Sequence, residues 1–283
     1  MIGAFSAVIA PLDGAAHALA ALPVARALAE LDGAALHVIH VTSGHVVPAE
    51  ALAGELGVPC DRLKDAVLHV RAGDPAVEIL RVAAEHAPSV VVLCTRTRPR
   101  ALQGAFSSVT ERVLARAIGP VVLVRPERGD VAWSLGRLLL AHDGTPAATA
   151  ALWPAAELGA RARARVWALH VAQAGGEPPR EVGSFPAPRY VDQRQHEWPT
   201  WTQEFTSRFA PRSPSGPGQP ELALERGEPA SAIVRFATEH AIDLVALAWR
   251  GSLDPERATA LRTVLRDAPC PTMILRCAEG CGR

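Results

Sequence analysis

The sequence predicts an α/β protein made of two tandem Rossmann-like domains, each doubly wound on a five-stranded parallel sheet. Two observations predict it. Short apolar, β-branched runs alternate with stretches that repeat apolar residues at helical spacing, as in "AVEILRVAAEHA". Continuous apolar strands between amphipathic helices imply a parallel sheet covered on both faces. The same series of elements then occurs a second time, and 283 residues suffice for two ordinary domains.

The repeat can be followed segment by segment. "AVIAPLDGAAHALAALPVARALAELDGAALHVIHV" (Ala7–Val41) is echoed by "LLLAHDGTPAATAALWPAAELGARARARVWALHV" (Leu138–Val171), which pairs Asp13 with Asp143 and Val41 with Val171, both at an offset of 130. "VRAGDPAVEILRVAAEHAPSVVVL" is echoed by "LERGEPASAIVRFATEHAIDLVAL", which pairs Gly73 with Gly227 at an offset of 154. "VLARAIGPVVLV" is echoed by "VLRDAPCPTMIL", which pairs Pro120 with Pro271 at an offset of 151. The second half has therefore gained 24 residues in its middle and lost three in its last loop.

In the first half, strands are expected near 4–10, 35–41, 66–71, 89–94 and 120–124. In the second they are expected near 137–142, 164–170, 221–226, 243–248 and 271–275. The first domain spans 1–127 and the second 135–278, separated by the polar, aperiodic "RPERGDVAWS" (Arg125–Ser134). The added residues fall in a long insertion, 172–220, with two Pro/Gly-rich stretches. Between them, "HEWPTWTQEFTSRFA" suggests a short helix starting near Pro199. Two readings of the insertion stand: a surface excursion, or a lid or partner-docking loop carrying Tyr190, Trp198 and Trp201.

The 29 basic and 29 acidic side chains cancel, which argues against general attraction to nucleic acid or anionic lipid. No apolar run approaches the length of a membrane span. The apolar start "MIGAFSAVIAPLDG" lacks a basic leader and is interrupted by Pro11 and Asp13, so it reads as a buried strand. Five scattered cysteines fit reduced thiols, and a cytoplasmic protein is expected. Cys277 and Cys281 form a C-x3-C pair that makes a poor zinc site without a second pair. No metal site is read from the sequence.

"CTRTRPRALQGAFSSVTERVL" (Cys94–Leu114) follows an apolar strand and runs into a helix, an order that often holds a phosphate. Phosphate loops usually need glycine, which lets backbone amides approach the anion. This loop has Gly104 alone, beside Arg96, Arg98 and Arg100. Ser108 opens S-V-T-E, a capping box with Glu111 that by itself explains the serine.

The ordered set, twice over, resembles the universal stress protein family in its tandem form. The residues that carry the resemblance are Asp13-Gly14 and Asp143-Gly144 after the first strand of each half, and His40-Val41 and His170-Val171 at the end of the second. Gly73 and Gly227 before the third helix, and "SSVTERVLARAIGPVVLV", complete it. The resemblance implies that the two closing strands pair, so that the chain is an intramolecular pseudo-dimer, with further oligomerisation left open. It implies a regulatory or stress-response role exercised through protein partners, in a family of which many members bind ATP.

ATP-binding members use the Asp and the second-strand residue for adenosine and a G-x2-G-x9-G-[ST] loop for phosphates. By that match the half-one candidates are Asp13, Val41, Ser107 and Ser108, with Arg96 and Arg98 as charge donors. The loop spacing is intact there, but Cys94, Thr97 and Ser107 stand where the family has glycine. The half-two candidates are Asp143, Val171, Gly251 and Thr259, in a loop shortened by three residues and made more acidic by Asp254 and Glu256. Either Asp also has a plain reading as a helix N-cap.

The expectation is a regulatory protein acting through protein contacts, with nucleotide binding weak or lost. The alternative is an ATP- or ADP-binding module using half one. No catalytic constellation is read, and a slow ATPase is the least supported alternative.

Overall fold

The computed structural model describes residues 4–42, 44, 48, 51–95, 108–126, 131–172, 181–185, 198–209, 220–251 and 259–277. They divide into two units, Met1–Ser134 and Leu135–Arg283.

Unit 1 runs β1 (Ala7–Pro11), a 3-10 turn (Ala16–Ala20), α1 (Ala21–Asp32), β2 (Ala35–Thr42), α2 (Leu52–Glu55), β3 (Val67–Ala72), α3 (Pro75–Glu85), β4 (Ser89–Cys94), α4 (Ser108–Arg116) and β5 (Val121–Val124). Its strands lie in the order β3-β2-β1-β4-β5, and each neighbouring pair is parallel. Unit 2 runs β6 (Arg137–Ala141), α5 (Pro146–Arg161), β7 (Arg165–Ala172), α6 (Trp198–Phe209), β8 (Glu221–Arg226), α7 (Pro229–Glu239), β9 (Leu244–Trp249), α8 (Thr259–Asp267) and β10 (Thr272–Arg276). Its order, β8-β7-β6-β9-β10, repeats that of unit 1.

The central strands are buried along their length because helices cover both faces. Ile9 and Ile39 in unit 1, and Leu138, Leu139 and Leu244 in unit 2, are fully enclosed. The edge strands β3 and β8 are only partly buried, with exposed residues at their ends. They carry His69 and Arg71, and Glu221, Glu225 and Arg226, among their apolar residues, as an edge open to water requires.

The repeated Gly-Asp-Pro and Gly-Glu-Pro are helix starts. Asp74 accepts the Val77 N–H at 3.1 Å, and Pro75 opens α3 where no amide partner is needed. Glu228 does the same for α7, accepting from Ala230 and Ser231. Arg112 of α4 grips both Asp74 oxygens, at 2.6 and 2.7 Å, and so ties α4 to the start of α3. That hydrogen bond holds the Asp74 carboxyl below the usual carboxylate range.

One element differs from expectation and another meets it. The first strand begins at Ala7 rather than near 4, and the chain passes through a 3-10 turn before α1. The helix expected near Pro199 begins at Trp198 and runs 12 residues. Among the described residues, no helix is long and apolar enough to cross a membrane.

Candidate functional site

In both units the strand order reverses direction beside the first strand, between β1 and β4 and between β6 and β9. Loops leaving the carboxyl ends of such strands part there and open a crevice. In unit 1 that crevice is a cavity of about 360 Å³, within the range of small-molecule sites.

Its walls come from five elements and the 3-10 turn. Pro11 ends β1, Leu12 and Asp13 follow it, and His17 and Ala18 belong to the turn. Ile39 and Val41 come from β2, Pro75 and Ile79 from α3, Leu93 and Cys94 from β4, and Val109 and Thr110 from α4. The lining is mostly apolar, with Asp13 as its carboxylate.

Asp13 is exposed, and its Oδ1 accepts the Ala15 N–H at 3.0 Å, closing a turn across Gly14. It caps no helix: the residue before the 3-10 turn is Ala15, with no side-chain cap, and α1 is likewise uncapped. The N-cap alternative for Asp13 is thus replaced by a local turn, because the helix starts too far along the chain for its carboxylate to reach.

Of the half-one candidates, the cavity brings Asp13 and Val41 together, with Cys94 at its wall. Ser108 opens α4, whose Val109 and Thr110 line the cavity. Arg96, Arg98, Thr97, Arg100 and Ser107 lie outside the described residues. Sequence reasoning missed His17, Ile79, Val109 and Thr110; Ile79 follows the helical apolar spacing of α3 and reads as ordinary core.

Unit 2 handles the matching position differently. Asp143 Oδ1 accepts from Thr145 N at 3.0 Å and Thr145 Oγ1 at 2.7 Å, and Thr145, not Asp143, caps α5 by accepting the Ala148 N–H. Residues 181–185 of the insertion lie against this loop. Phe185 N donates to Gly144 O at 2.8 Å. Glu181 Oε1 accepts the Ala147 N–H at 2.9 Å, so a carboxylate of the chain itself occupies the first turn of α5.

Arg250, just past β9, donates to Glu181 Oε2 at 2.9 Å and Thr145 Oγ1 at 3.1 Å, and lies 3.5 Å from Asp143. The Glu181 side chain is 6% exposed. The hydrogen bond to Glu181 raises the Arg250 guanidinium further above its ordinary range. Gly144 stands at φ +82° and has no room for more: a Cβ there would meet Phe185 O at 2.5 Å.

The described part of the insertion is packed rather than loose. Trp201 and Phe205 of α6 are buried against Ala172 and Leu224, and Phe185 stacks on Trp201 at 5.7 Å. Trp201 also lies 5.6 Å from the His170 ring. Tyr190 lies outside the described residues, as does the Trp198 side chain. Val171 is partly buried against the unit 2 core. Gly251 lies beside the Arg276 guanidinium, and Thr259 opens α8 on the surface.

The repeated strand-end histidines are structural. His40 Nδ1 meets Leu12 O at 2.9 Å, and His170 Nδ1 meets His142 O at the same distance, two equivalent bonds in two repeats. His142, which replaces Leu12, accepts the Gly144 N–H on Nδ1 and contacts Thr149 Oγ1 through Nε2. Burial pushes its pKa down to about 4, and burial also lowers that of His170.

The sequence profile of the universal stress protein family matches residues 61–125 and 135–276. No curated protein matches the chain. A universal stress protein from Archaeoglobus fulgidus DSM 4304 is similar in structure, with TM-score 0.64 and 18% identity, covering 99% of this chain and 99% of that one. A functionally unknown protein from Pseudomonas aeruginosa PAO1 also has TM-score 0.64, at 13% identity over 96% of this chain and 93% of its own. A universal stress protein in complex with cAMP aligns with 44% of this chain and 99% of its own, at 22% identity and TM-score 0.38.

Proposed function

The chain belongs to the universal stress protein family, and on that premise we propose that it is a regulatory protein that takes one adenine nucleotide, ATP or ADP, in unit 1 and none at the matching position of unit 2. The observation that carries this reading is the contrast between the units. The unit 1 crevice is a cavity of about 360 Å³, whereas segment 181–185 lies against the unit 2 loop and puts the Glu181 carboxylate on the first turn of α5.

Adenine would lie among Ile39, Ile79 and Leu93, which line the cavity from both sides of the β1–β4 crevice. The Asp13 carboxylate would accept hydrogen bonds from the ribose hydroxyls. The phosphates would extend toward the start of α4 at Ser108, where the helix end favours negative charge. The liganded state would be read by protein partners. The competing reading, protein contacts alone with nucleotide binding lost, rests on Cys94, Thr97 and Ser107 standing in place of the family's glycines.

The test is thermal melting with ATP, ADP and adenosine, with and without magnesium. At 100 times Kd, binding adds about 2.7 kcal/mol, which raises the melting point of a unit of this size by roughly 5–10 °C. Asp13→Asn keeps the turn to Ala15 but loses the charge, and should weaken binding by roughly 10- to 150-fold, the worth of a hydrogen bond to a charged group. Asp143→Asn should leave binding unchanged. No shift at millimolar nucleotide favours protein contacts alone.

A further inference from the structure

Three histidines meet on the same face of the unit 1 sheet as the cavity, but toward the opposite ends of the strands. His37 is the third residue of β2, His69 the third residue of β3, and His86 the residue that ends α3. His37 and Val41 lie on one face of β2, four residues and about 13 Å apart, with Ile39 of the cavity wall between them. One ring nitrogen from each histidine can be chosen so that all three lie within 4.8 Å of one another. Among the described residues this is the group of three that could hold a metal ion.

The fold does not require this cluster. The matching positions of unit 2 are Trp167, Ala223 and His240. There the rings simply pack, with Trp167 5.5 Å and Phe236 4.0 Å from His240. Unit 1 has the histidine that both repeats share and two more beside it. Burial first, then His86 and His69, bring His37 down to about 4, and burial first lowers His69.

We propose that His37, His69 and His86 form a binding site for a zinc-class divalent transition metal ion, with a fourth position open to solvent. Three neutral imidazoles are the donor set of many zinc sites that keep an open position. Nitrogen donors without carboxylate or carbonyl oxygens suit Zn²⁺, Cu²⁺ and Ni²⁺ rather than Mg²⁺ or Ca²⁺.

The geometry is within reach of coordination. Zinc–nitrogen bonds of about 2.0–2.1 Å in a tetrahedral site put ligand nitrogens roughly 3.4 Å apart. That value lies between the 2.8 Å contact of His37 Nδ1 with His69 Nε2 and the 4.8 Å span of the group. Binding exchanges the His37–His69 hydrogen bond for two metal bonds, and the proton between them moves to the far nitrogen of the ring that carried it. His37 is buried on a central strand and fixes the site, whereas His69 and His86 are half-buried and can turn toward the ion. The His86 backbone is held in turn, its carbonyl accepting from Ser6 Oγ at 3.0 Å.

The test uses the full chain, stripped with chelator and titrated with zinc chloride by calorimetry. One equivalent should bind. His69→Ala, which installs the residue unit 2 has at this position, should weaken binding by more than the roughly 10–100-fold that losing an outer-shell partner costs. His86→Ala should do the same, and Cys281→Ser should leave binding unchanged. Circular dichroism establishes that each variant is folded. Co²⁺ in place of Zn²⁺ should give the visible absorption of a four- or five-coordinate ion in the parent chain, and should not in either histidine variant. Absence of zinc binding by the parent chain, or affinity equal to the parent's in the folded histidine variants, overturns the proposal. Neither result depends on nucleotide, so the proposal stands or falls apart from the function proposed above.

Discussion

Acid should destabilise unit 2 through one histidine. His142 is 8% exposed and neutral in the folded protein, accepting the Gly144 N–H, with a pKa lowered from 6.5 to about 4 by burial. An unfolded chain takes up the proton near pH 6.5, and the folded one resists until about pH 4. The unfolded state therefore binds more protons across that window, and stability falls as pH falls through it. Between pH 7 and pH 4.5 the loss from this group is about 2.5 kcal/mol.

His142→Leu isolates the effect, since leucine stands at the matching position of unit 1. At pH 7 the variant should be less stable by about 1–3 kcal/mol, because the buried Gly144 N–H loses its acceptor. At pH 4.5 the gap should shrink by about 2.5 kcal/mol or invert, because the variant has nothing to protonate there. The shifted histidines of unit 1, His37 and His69, titrate alike in both proteins and cancel in the difference. Urea unfolding across this pH range, followed by tryptophan fluorescence, reads mainly unit 2, which holds Trp153, Trp167, Trp198, Trp201 and Trp249, five of the six tryptophans. Parallel stability curves for the two proteins would refute the reasoning.

Two further substitutions probe the insertion. Trp201→Ala should cost about 3–5 kcal/mol in chemical unfolding, since the indole is buried between His170, Phe185 and Phe205; an unchanged midpoint would mean that the insertion contributes nothing to unit 2. Glu181→Ala should cost about 1.5–3 kcal/mol in the same assay, through the lost bonds to Ala147 N–H and Arg250.

The fold was legible because the repeat supplied two readings of each element. Strands buried on both faces announce themselves as apolar runs, and β4, β5 and β9 fall within a residue of expectation. The start of β1 was not legible, since Ala4 and Phe5 are as apolar as the strand they precede. In the site, Asp13 and Val41 could be read as lying near the carboxyl ends of β1 and β2, since strand ends are fixed by the sheet. The seal of unit 2 could not. Glu181 and Phe185 sit in a stretch rich in glycine and proline, with no periodicity to place them beside Gly144, and Arg250 gives no sign of a partner 69 residues away. The histidine cluster escaped for a related reason, since its members come from two strands and a helix end and share no local motif.

The most direct test of one open site and one closed site is methyl NMR of the chain titrated with ATP. Shifts are expected in the methyl signals of Ile39, Ile79 and Leu93, and none in the matching Leu169, Ile233 and Leu247. Shifts in both sets, or in the unit 2 set alone, would contradict that expectation.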